Sequence, residues 1–71
     1  KPKCALIGED GNIFHLMGMA SRTLKRNGMS EEATEMCNRI TGGAKSYDEA
    51  LMILQDYVEI TSKEELEEEE Y

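Results

Sequence analysis

Helix punctuation constrains this chain more than any other feature. Gly28, Ser30, the pair Gly42-Gly43 and Ser46 fall at intervals of one short helix along 71 residues. Ser is a favoured N-cap because its hydroxyl accepts a bond from an otherwise unpaired N–H of the first turn. Gly stops helices by taking a left-handed backbone at low cost. Between these marks, apolar residues recur at helical spacing. Ser30 is followed by Glu31 and Glu32, then by the stripe Ala33, Met36, Cys37, Ile40. This predicts a helix over 30–41, closed by Gly42-Gly43. Ser46 with Glu49 three residues later is a capping box. It opens a helix over 46–57 with Tyr47, Ala50, Leu51, Leu54 and Tyr57 or Val58 on its buried stripe and Ile53 broadening it.

Upstream, Asp10 and Asn12 are both suited to cap a helix over 13–27. Ile13, Met17, Ala20 and Leu24 form its apolar face, which Phe14 and Leu16 widen. Arg22, Lys25 and Arg26 crowd its last turns, where cations complement the helix dipole. Gly18 inside this helix costs propensity, and its presence suggests close approach of another element. Gly28-Met29 is the whole link to the second helix, so the two form an angled hairpin with Met29 plugging the corner. Leu16, Met19 and Ile53 lie off the central stripes, as either a wider core or a dimer patch.

The two ends of this region differ in character. Cys4-Ala5-Leu6-Ile7 is too short for a helix and reads as a strand over 4–7. Val58-Glu59-Ile60-Thr61 alternates with β-branched residues and reads as a strand over 58–61. A two-strand ribbon is marginal alone but stable when helices back it. The expected fold class is therefore α+β, mainly α: one compact three-helix domain over residues 1–62, with the N-terminal strand free to pair with the C-terminal one.

Charge is unevenly spread. Residues 1–62 hold nine acids and seven bases, a net of −2. Residues 63–71 carry six Glu against one Lys and contribute −5. Such a run repels itself, and a disordered acidic tail is expected. No apolar run is long enough to span a bilayer, and no signal segment opens the chain. Two distant cysteines do not make a disulfide framework. The expectation is a cytoplasmic protein with Cys4 and Cys37 reduced and buried, a single disulfide being the less favoured alternative.

Chemistry-bearing patterns are sparse. If Gly11 of Asp10-Gly11-Asn12 were the turn glycine of a calcium loop, carboxylates would be needed at Leu6 and Met17, which have none. Gly8 and Gly11 lack a nucleotide-binding spacing, and Glu9 and Asp10 would repel phosphate. His15 is the only histidine, with no CxxC or HxxxH spacing to support a metal site. Ser21 and Ser30 lack a nucleophile turn. No catalytic residue, cofactor or metal is therefore expected. The candidate partner-binding residues are Arg22, Lys25 and Arg26, with Arg39 as a further member.

The strings Leu6-Ile7-Gly8-Glu9-Asp10-Gly11-Asn12-Ile13-Phe14, Ala20-Ser21-Arg22-Thr23-Leu24-Lys25 and Ser46-Tyr47-Asp48-Glu49-Ala50-Leu51 carry a resemblance. The chain resembles small proteins encoded on mobile elements of gut-dwelling bacteria, including conjugative transposons. The likeness spans residues 2–62 as a whole rather than a functional motif, so it carries over no site residues. It implies the bacterial cytoplasm and an accessory role in maintenance or transfer of the element.

The leading functional expectation is a non-enzymatic protein-interaction module, monomeric or weakly dimeric, with an unknown protein partner. One alternative is a nucleic-acid-binding regulator using the basic end of the first helix. Against it, Glu31, Glu32 and Glu35 on the second helix would face phosphates. Another is an acidic nucleic-acid mimic, which the near-neutral residues 1–62 disfavour.

Overall fold

The computed structural model describes residues 1–62, so the expected acidic tail at 63–71 lies outside the described residues. The order is β1 (Lys3–Ile7), α1 (Ile13–Arg26), α2 (Ser30–Gly43), α3 (Tyr47–Tyr57) and β2 (Glu59–Ser62). The α+β, mainly helical class expected from sequence is the observed one.

Three of the helix boundaries have local causes visible in the sequence. Asn12 caps α1, its side chain accepting from the Phe14 N–H at 2.8 Å. Ser46 caps α3, its Oγ accepting from Glu49 N at 3.1 Å, while Glu49 reaches back to accept from Lys45 N at 2.6 Å. α1 ends in a Schellman turn: Met29 N donates to Leu24 O at 2.9 Å and Gly28 N to Lys25 O at 3.1 Å. Gly28 takes the left-handed backbone, φ 73°, that this turn requires.

Two expected boundaries are corrected. Ser30 is not the N-cap of α2; Met29 is, without a side-chain cap bond. The Schellman turn is so short that the Met29 carbonyl already accepts from Ala33 N at 3.0 Å, which draws Ser30 into the first turn. Gly42-Gly43 does not close α2 but forms its last residues, since neither glycine adopts positive φ. Ala44 then leaves the helix and packs against the core.

One core serves all five elements. Leu24, Met36, Leu54 and Val58 are its largest fully buried side chains, joined by Ala20, Ala33 and Ala50 where the helices approach. Leu16 belongs to this core, and Met19 and Ile53 pack against it, so these three are a wider core rather than a dimer patch. Met29 is half-buried at the α1–α2 corner, as expected. Other apolar residues are not consumed. Phe14 is 67% exposed, about 100° around α1 from the inward Ile13. Met52 and Ile7 also face out, as does Tyr47, which was expected on the buried stripe of α3. Cys37 is half-buried rather than buried, and both cysteines are free thiols. A side chain at Gly18 would meet nothing within 4 Å, so no element approaches it closely.

The strands do pair, and they pair in parallel, Lys3 opposite Glu59 and Ala5 opposite Thr61, with an irregularity before Ile7. β2 starts one residue later than expected because Val58 caps α3 and is buried. All three helices form the crossover that a parallel pair needs. Cys4 and Leu6 point into the core, whereas Lys3 and Ala5 are half-exposed.

Candidate functional site: a basic groove between β1 and α1

α1 packs along β1, and a short chain of side-chain contacts holds the two together. The Thr23 hydroxyl, buried on α1, donates to Cys4 Sγ at 3.4 Å, and Arg26 donates to that hydroxyl at 3.4 Å. Asn27 closes the end of the helix by donating to the Thr23 carbonyl at 2.7 Å. Thr23 therefore serves as a polar pin between strand and helix, at a position where an apolar residue would have continued the stripe.

Beside this pin runs an open groove of about 500 Å³. Cys4, Ala5, Met19 and Thr23 form its apolar and neutral part. Lys3, Arg22, Lys25 and Arg26 supply the charge, and no acidic residue lines it among the described residues. Four cations around one concave surface raise the local positive potential well above that of scattered surface charges. Arg22, Lys25 and Arg26 are exposed, and among the described residues none of these three forms an ion pair. The sequence-expected trio thus meets in one place.

Arg39 does not join it. Its guanidinium lies on the α2–α3 side, donating to Asp56 Oδ2 at 3.1 Å and to Tyr57 Oη at 3.2 Å. It also sits over the Tyr57 ring, 5.6 Å from the centroid. The hydrogen bond to Tyr57, then that to Asp56, raises its pKa further above an already high ordinary value. Arg39 is committed to bracing α2 against α3. Lys3 takes the fourth place in the groove, and no cluster in the sequence singled it out. Strand alternation shows only that Lys3 and Ala5 face away from the core, opposite to Cys4 and Leu6; the packing of α1 along β1 is what brings Lys3 to the groove.

Other surfaces are chemically plainer. A second cleft, also about 500 Å³, lies where the ends of the three helices meet, with Ile13, Phe14, Ile40 and Ala50 on its apolar walls. Tyr47 borders it and donates its hydroxyl to the Gly11 carbonyl. His15 is exposed and contacts Glu9 at 3.1 Å. Among the described residues, no three His, Cys, Asp or Glu side chains converge as a metal site. No described helix is long and apolar enough to cross a membrane.

The chain matches no family model, no curated protein and no solved structure.

Proposed function

We propose that this domain is a non-enzymatic protein-interaction module whose β1–α1 groove receives an anionic segment of a partner protein. One observation carries the reading: Lys3, Arg22, Lys25 and Arg26 converge on a single groove that no described acid lines. The rest of residues 1–62 is acidic, at −6, since the segment carries −2 with these four cations included. Arg22, Lys25 and Arg26 form no ion pair among the described residues, so the cluster is a local feature and not a by-product of a basic protein. In the setting that the resemblance implies, the module is an accessory protein of a bacterial mobile element and works in the cytoplasm.

The nucleic-acid reading draws on the same cations. It gains from the position of Glu31 and Glu35, which line a separate surface of α2 together with Arg39 and do not shield the groove. It loses because the groove is confined to one end of a small, net-acidic protein, whereas phosphate-tracking surfaces are extended and basic.

Calorimetric titration with an acidic peptide tests the module. Reversing two groove charges together, Arg22→Glu with Arg26→Glu, should weaken binding at least tenfold, and raising salt should weaken the native affinity. Arg39→Glu should leave affinity unchanged. Equal losses from both variants would sink the assignment of the groove.

A further inference from the structure

We propose that the groove takes its partner as a third β-strand: an extended segment with acidic residues at alternate positions, paired to the open edge of β1. This rests on the reading of the groove as an anion-receiving surface and specifies the partner's conformation and charge spacing.

The backbone points to this. Glu59 N donates to the Pro2 carbonyl at 2.9 Å, and the register sets Lys3 opposite Glu59 and Ala5 opposite Thr61. In a parallel ladder the bonding groups alternate in direction along each strand. Pro2, Cys4 and Leu6 therefore direct their backbone groups at β2, and Ala5 directs its N–H and C=O at the opposite edge. β1 has one strand neighbour among the described residues. The groove lies on that opposite edge: β1 and α1 line it and β2 does not. Ala5 lines the groove, and being half-exposed and small it leaves this edge accessible. A two-stranded sheet is also short of the three strands that give a sheet independent stability. Edge addition supplies the third, as in other strand-adding domains.

The cations fit the same occupant. Arg22 and Arg26 are four residues apart on α1, so they lie in one row. At about 1.5 Å rise per residue they are about 6 Å apart along the helix axis. Same-side residues of a strand recur every about 6.6 Å. A strand with carboxylates at positions i and i+2 therefore offers one to each arginine. Adjacent carboxylates, on opposite faces of the strand, would not.

The test is fluorescence anisotropy of the 71-residue chain with a labelled eight-residue peptide alternating Glu and Thr. A peptide of the same composition with its Glu residues in adjacent pairs, Glu-Glu-Thr-Thr repeated, never places two of them at i and i+2 and should bind at least fivefold more weakly. Two N-methylated versions of the alternating peptide, methylated at odd or at even positions, remove donors from one edge of the added strand at a time. One of them should lose at least tenfold in affinity, and the other should bind like the parent. Ala5→Pro removes the outward N–H without touching a bond to β2, and should cause a similar loss with the far-UV spectrum unchanged. If both methylated peptides bind like the parent, strand addition is wrong while the anionic groove stands. If an eight-nucleotide single-stranded DNA binds more tightly than the alternating peptide, the partner is nucleic acid and the proposal fails. If neither ligand binds, the groove reading falls with it.

Discussion

Gly18 and Gly28 have the same side chain and opposite consequences. Gly28 sits at φ 73°, where an L side chain crowds the following carbonyl, and it terminates α1 through the Schellman bonds. Gly18 sits in mid-helix with open space where a Cβ would be. Gly18→Ala should therefore stabilise the domain by about 1 kcal/mol, the helix-propensity difference. At this size that is a rise in melting temperature of about 4–8 °C. Gly28→Ala should destabilise by about 1 kcal/mol or more. Thermal unfolding followed at 222 nm reads both, and a loss on Gly18→Ala would mean that the helix needs its glycine for a reason other than space. The groove depends on similar single-residue economy. Thr23 breaks the apolar stripe of α1, yet its hydroxyl links Cys4 to Arg26 and so helps place a cation beside the strand.

At the scale of the element, caps decide where each helix starts, and two serines of similar sequence context differ. Ser46 Oγ accepts from Glu49 N and opens α3. Ser30 lies inside the first turn of α2, behind Met29. Ser46→Ala should cost about 1 kcal/mol, the usual value of a lost N-cap. Ser30→Ala should stay within about 0.5 kcal/mol, as surface changes away from a cap do. Urea midpoints of the two variants check this, and a larger loss at Ser30 would contradict the assigned start of α2. The same contrast shows what was legible in the sequence. The Ser46 box was legible because it depends only on residues 45–49. Ser30 was misassigned because its role is set by the neighbouring turn: the Schellman bonds of Gly28 and Met29 start α2 one residue early. Gly42-Gly43 was misread for a related reason, since a glycine marks a helix end only where positive φ is needed, and here α2 runs through both to deliver Ala44 to the core.

For the whole molecule, helix number, order and most inward faces were legible because helical periodicity is local. The pairing of β1 with β2 was open in the sequence; its parallel sense and the position of Lys3 beside α1 were not legible at all. They arise from how three helices fold the chain back on itself. That is why the trio Arg22, Lys25, Arg26 could be named from sequence and the groove could not. Arg39 was grouped with them by charge alone, and only the packing of α2 on α3 assigns it to Asp56 and Tyr57. The central claim is that recognition is concentrated on the β1–α1 groove. An amide chemical-shift titration of the isotopically labelled chain with an alternating acidic peptide tests this most directly. The account predicts the largest shifts at Lys3–Ala5 and Met19–Arg26, with little change on α2 and α3. Largest shifts around Phe14 and Tyr47, or along the Glu31–Arg39 face of α2, would contradict it.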